Sequence, residues 1–166
     1  MAANVCYGQS DVGIAEDAAA VAARIRPLLP DVPCYSSPLM RCRLLAEALH
    51  PAPAFDDRLR ELHFGNWEMQ TWDEIGKTAV DAWAADPLHY DAHGGESIAQ
   101  LRQRAAACAR EIATRHDEAV LVIHAGVMKA LAVELLGLPD PAWFSTSFAW
   151  GTVSLIEDGK LIWQNK

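Results

Sequence analysis

Two places in this chain carry the side chains and the local pattern that chemistry on an anion would need. In AVLVIHAGVMKALAVELLG (119–137) and in CYSSPLMRCRLLAEAL (34–49), an apolar run meets a turn of small residues and then a helix-period pattern. Each junction holds one side chain able to meet a phosphate: His124 in the first and Arg41 in the second. In open α/β sheets, ligands bind beyond the carboxyl ends of the strands, where the next helix starts. The unpaired N–H groups and positive dipole end of a helix N-terminus suit an anion. Ala125, directly after His124, is a further candidate contact to such an anion, with its role open. Glu61, in DDRLREL, is a third group of interest. Each has a plain structural reading alone: a hydrogen-bonded histidine, a helix-capping arginine, a solvated carboxylate. The two junctions together suggest a phosphate site.

The elements that must hold these residues follow from periodicity and punctuation. An Ala-rich helix is expected over 15–29, ended by Pro30. VPCYS reads as a buried strand, SSP as a turn, and 39–49 as a helix closed by His50-Pro51. The segment 55–75 mixes carboxylates with Trp67 and Trp72 and reads as an ordered loop with a short helix. A helix is possible over 77–86. Ser97 is placed to cap a long amphipathic helix over 97–115, and Gly137 to end the helix after His124. FAWGTVSLIEDGKLIWQ reads as a hairpin turning at Asp158-Gly159. Strands alternating with helices imply an α/β fold with a mostly parallel sheet covered on both faces. Only two strands and the hairpin are evident, so one strand is expected to be missing.

Composition limits the partners. At 166 residues the chain is read as one domain over 1–166. It is 51% hydrophobic, with no apolar run long enough to span a bilayer and no secretory signal pattern at its start. A net charge of −8 without a basic block argues against nucleic acid and anionic membranes. It does not argue against a phosphate pocket, because salt screens diffuse charge beyond about 8–10 Å. The four cysteines lack metal-ligand spacing and read as free thiols in a reducing cytoplasm.

SSPLMRCRLLAEAL, RLRELHFGNWE, GGES and VIHAGV, in this order, resemble the histidine phosphatase superfamily, the branch containing cofactor-dependent phosphoglycerate mutases. The opening CYGQSDVGIAED is similar to alpha-ribazole phosphatases of cobalamin biosynthesis. The resemblance implies a three-layer α/β/α sandwich and a phosphohistidine mechanism on a small phosphorylated metabolite, with no metal or other cofactor. It implies Arg41 and His124 as phosphate ligands, His124 also in the catalytic set, and Glu61 as proton donor to the leaving oxygen. Physical chemistry agrees with those roles. Phosphoryl transfer needs in-line positioning and cations around the equatorial oxygens. A guanidinium fork suits two of those oxygens, a phosphate dianion raises the pKa of a nearby histidine, and an alkoxide leaving group calls for an acid.

One string of the family is absent. Its nucleophile stands in Arg-His-Gly or Arg-His-Pro at the end of the first strand, and no such string occurs near the start of this chain. The expectation is a protein whose first strand and nucleophile lie upstream, inactive as given. The alternatives are a nucleophile-less protein that binds phosphorylated ligands or a partner, and a mutase. The first is favoured because removing a mid-sheet strand exposes two strand edges. Oligomeric state is left open.

Overall fold

The segment Cys34–Ser36 is too short to stand alone and is buried on both faces, which makes it the centre of a parallel sheet. The computed structural model describes residues 4–14 and 16–166. In chain order it forms α1 (Ala18–Ile25), β1 (Cys34–Ser36), α2 (Met40–Leu49), β2 (Ala54–Phe55), α3 (Trp72–Ile75) and α4 (Lys77–Ala85). Then come α5 (Ile98–Ala113), β3 (Val120–Val122), α6 (Ala125–Leu136), α7 (Ala142–Ser145), β4 (Leu155–Glu157) and β5 (Lys160–Trp163).

The parallel sheet has the order β2-β1-β3, with Cys34 opposite Val120 and Ser36 opposite Val122. Side chains alternate across it. Cys34 and Val122 point into a cluster with Val21, Ile25, Ala46 and Leu49 of α1 and α2. Tyr35 and Leu121 point into the opposite cluster, with Leu101 and Cys108 of α5 and Val127 and Leu131 of α6. This is the three-layer α/β/α arrangement. Leu59, Ile98, Leu101 and Val127 are at most 1% exposed, and each buried aliphatic side chain contributes about 1.5–3 kcal/mol.

Local chemistry sets the boundaries. Ser97 and Gln100 form a capping box at the start of α5. Gly137 ends α6 with φ of 62°, and Asp158 and Gly159 both take positive φ in the β4–β5 turn. The first helix is shorter than periodicity suggests. Pro27 has no N–H to continue the ladder, so the helix tightens into a 3-10 turn over Arg26–Leu28; its expected start at Ala15 lies outside the described residues. β2 and α7 were not expected from sequence.

The β4–β5 hairpin is not part of the parallel sheet. Among the described residues, β3 pairs with β1 alone. A cavity of about 1150 Å³ is lined by residues that include Val120–Ile123 and Leu155–Glu157 of the hairpin. Val21 and Ile25 of α1 line its length, and Arg41, Glu61 and His124 border it. The cavity is an open slot bordered by residues of β3 and of the hairpin.

Candidate active site

His124 is the residue at which β3 gives way to α6. Its backbone is extended (φ −99°, ψ 162°) while its carbonyl already accepts from Met128, so it sits at the helix N-cap. Arg41 stands in the first turn of α2, after β1. Because β1 and β3 are adjacent and parallel, the two junctions meet: Arg41 Nε donates to His124 Nδ1 at 3.1 Å. That bond fixes the tautomer. A guanidinium can only donate, so Nδ1 is the acceptor and Nε2 carries the hydrogen, 2.8 Å from Ser37 Oγ. The imidazole is therefore neutral, and it is 6% exposed. Burial, then the charges of Arg41 and Arg104, lower its pKa to about 3. The expectation of a cationic histidine applies only once an anion is present to offset those costs.

Arg41 also donates to the carbonyls of Ser10 (3.1 Å) and Gly8. Three of its five N–H donors are thus engaged by protein, which leaves two free for a ligand. The loop at 8–10 is itself held by Glu68, whose carboxylate accepts from the N–H groups of Gln9 (2.8 Å) and Ser10 (2.7 Å). Gly8 is required there, since a Cβ would collide with the carbonyl of Leu62.

Glu61 approaches from the segment that follows β2. Its carboxylate accepts from the N–H of Leu62 (2.9 Å) and from Gly126 (3.0 Å), in the first turn of α6. Burial, the largest influence, pushes its pKa up against those two bonds and the charges of Arg41 and Arg104. Such a carboxyl is suited to hold a proton. Gly126 permits the approach, because a Cβ there would collide with Oε1 of Glu61. Ala125 opens α6 and borders the same cavity.

The structure thus gathers Arg41, His124, Ala125 and Glu61 around the same slot. It does not gather the other carboxylates of that region. Glu68 anchors the 8–10 loop, and Glu74 is taken up by the capping box of α3 with Thr71. Nor does it bring a second histidine. His116 bonds the Tyr35 hydroxyl at 2.8 Å, His89 pairs with Asp86, and His93 is buried among Trp67 and Tyr90. Among the described residues no three His, Cys, Asp or Glu side chains converge as metal ligands would, and no helix is long and apolar enough to cross a membrane. Sequence reasoning did not single out Ser37, Gly126, Glu96 or Arg104. Ser37, Glu96 and Gly126 lay within quoted strings, SSPLMR, GGES and VIHAGV, but their partners come from distant segments.

Comparison with known proteins agrees with this geometry. The family model of the histidine phosphatase superfamily (branch 1) matches residues 2–161. The chain is 34% identical over 151 residues to a glucosyl-3-phosphoglycerate phosphatase of Mycolicibacterium vanbaalenii, covering 81% of this chain and 65% of that protein. The chain therefore spans just under two thirds of that relative. The native structure of a mycobacterial glucosyl-3-phosphoglycerate phosphatase superimposes with a TM-score of 0.79 at 26% identity, covering 97% of this chain and 91% of the other. The alpha-ribazole phosphatase of Shigella flexneri superimposes with a TM-score of 0.82 at 22% identity, covering 98% and 89%, a likeness of fold. By strand order, site geometry and family match together, this chain belongs to branch 1 of the histidine phosphatase superfamily.

Proposed function

We propose that the chain carries the phosphate-binding and proton-donating half of a phosphomonoesterase site for a small phosphorylated metabolite. The observation that carries this reading is the meeting of Arg41 and His124 at 3.1 Å, with the buried Glu61 carboxyl against the same helix start. The two free N–H donors of Arg41 face the equatorial oxygens of a bound phosphate. The imidazole of His124 joins them once the anion has drawn a proton onto it and the Arg41 bond is released, so that cationic groups stabilise the transferring phosphoryl. Glu61 delivers its proton to the departing alkoxide as the P–O bond breaks. The acceptor of the phosphoryl is a second imidazole. It forms the N–P bond in line with the leaving oxygen and later yields the phosphoryl to water. No second imidazole stands at the site among the described residues. The slot beside β3 offers the place from which a strand ending in Arg-His would present one.

Written this way, the reaction uses side chains alone. A cytoplasmic setting is supported by the four free, buried cysteines, and a single domain over 1–166 by the packing of helices against both faces of the parallel sheet. The finer substrate reading, alpha-ribazole 5'-phosphate of cobalamin biosynthesis, rests on the opening CYGQSDVGIAED. The overall identity instead supports glucosyl-3-phosphoglycerate. The lack of a second imidazole favours, for the residues described, binding without turnover.

The test is binding. Phosphate or vanadate should raise the melting temperature, by about 2.7 kcal/mol of stabilisation at 100 times Kd, and Arg41→Ala should remove the effect. A flat response across millimolar phosphate would overturn the reading. Competition by the two phosphorylated metabolites then ranks them as ligands.

A further inference from the structure

Arg104 lies two turns into α5, on a different element from any residue of the phosphate site. All five of its N–H donors are used. Nε and Nη2 form a two-pronged ion pair with Glu96 at 2.6 and 2.7 Å. Nη1 donates to the carbonyls of Arg58 and Arg60, both at 2.7 Å, and Nη2 donates to the carbonyl of Glu61 at 2.9 Å. Arg58, Arg60 and Glu61 belong to a stretch with no strand partner, so these carbonyls depend on a side chain for their hydrogen bonds. Gln9 Nε2 supplies a second donor to the Glu61 carbonyl at 3.0 Å. Glu96 completes the tie: its own N–H donates to the carbonyl of His63 at 2.7 Å. Leu59 and Leu62, both buried, pin the flanks of the same stretch into the core.

We propose that Arg104, held by Glu96, is the positioning residue for Glu61: it clamps the 58–61 backbone so that the Glu61 carboxyl meets the start of α6 at the phosphate site. The inference rests on the reading of Glu61 as the acid. A lysine could keep the charge at 104 but not the planar fork that reaches three carbonyls and a carboxylate at once. Charge and clamp can therefore be separated. The ionic groups acting on the Glu61 carboxyl are Arg41 and Arg104, and its hydrogen-bond donors are the N–H groups of Leu62 and Gly126.

The experiment uses the full chain. The Glu61 carboxyl is followed by carbon NMR through a pH titration, together with the amide resonance of Gly126, in wild type, Arg104→Lys, Arg104→Met and Glu96→Gln. A lost clamp lets water reach the carboxyl. Arg104→Lys and Glu96→Gln, which keep the charge at 104, should then titrate Glu61 closer to an exposed glutamate, whereas in Arg104→Met the lost cation raises the carboxyl against that change. The Gly126 amide should move in all three. Arg104→Lys matching wild type would reduce the residue to a charge and overturn the proposal. So would unchanged Glu61 and Gly126 signals in folded variants, or loss of folding in all three, which would make Arg104 a stability element only. Phosphate stabilisation dependent on Arg41 is measured separately. Its absence refutes the phosphate site, while the Glu61 and Gly126 signals still decide the role of Arg104.

Discussion

Acid should destabilise this protein through the imidazole of His124. His124 is neutral when folded, with its pKa lowered from 6.5 to about 3 by burial and by Arg41 and Arg104. In the unfolded chain the same ring takes up a proton below about pH 6.5. The folded value lies below the unfolded one, so the unfolded state binds the extra proton. Stability is complete above pH 6.5 and is lost as pH falls toward 3. At pH 5 the folded ring is still neutral, and the unfolded ring is about 97% protonated, which is worth about 2 kcal/mol relative to pH 8. Besides carboxylates held low in the fold, such as Asp56 and Glu68, two groups bear on that window. His93, also held low by burial, acts in the same direction, and Glu61, pushed up by burial, acts in the opposite one. Both remain in His124→Asn, so the comparison isolates His124. Urea unfolding at pH 8 and pH 5 should show wild type losing about 2 kcal/mol more than the variant on acidification. Equal losses would refute the argument, because His124 would then not be held neutral by the Arg41 bond.

Gly126→Ala should displace the Glu61 carboxylate from the start of α6 and cost about 1–3 kcal/mol, the usual cost of forcing a methyl group into a packed site; thermal melts measure it. The chain as given should not hydrolyse an aryl phosphate above background; turnover abolished by His124→Ala would mean that another residue accepts the phosphoryl. Joined to a strand ending in Arg-His, it should gain phosphatase activity that persists in EDTA. In that protein Glu61→Gln should slow alkyl esters far more than activated aryl esters, because only the former need the proton, an effect of about 100- to 10,000-fold. Equal losses on both would remove Glu61 as the acid.

The two strand-to-helix junctions were legible in the sequence because burial on both faces of a parallel strand leaves an uninterrupted apolar run, as in AVLVI, that then changes to helical period. Ser97, Gly137 and Asp158-Gly159 were legible because capping and turns place demands on single residues. β2 was not, because two residues with exposed side chains, Ala54 and Phe55, carry no pattern; their pairing with β1 comes from the sheet. The role of Glu68 was hidden in the same way. In sequence it is one more carboxylate near Glu61, and only the folded loop at 8–10 turns its N–H groups toward it. The clamp at Arg104 joins segments more than 40 residues apart, beyond the reach of any local rule. The combination of Arg41, His124 and Glu61 came from family resemblance, since each residue alone had an ordinary structural reading.

The side of β3 left unpaired among the described residues has a consequence for handling the protein. It presents a row of backbone donors and acceptors to whatever extended chain arrives first, and residues of β4 line the same cavity. A segment that fills the gap and a second molecule that lends an edge are then competitors, one independent of protein concentration if tethered and the other rising with it. Soluble yield should accordingly fall as expression level rises, and it should recover when a tethered strand occupies the gap.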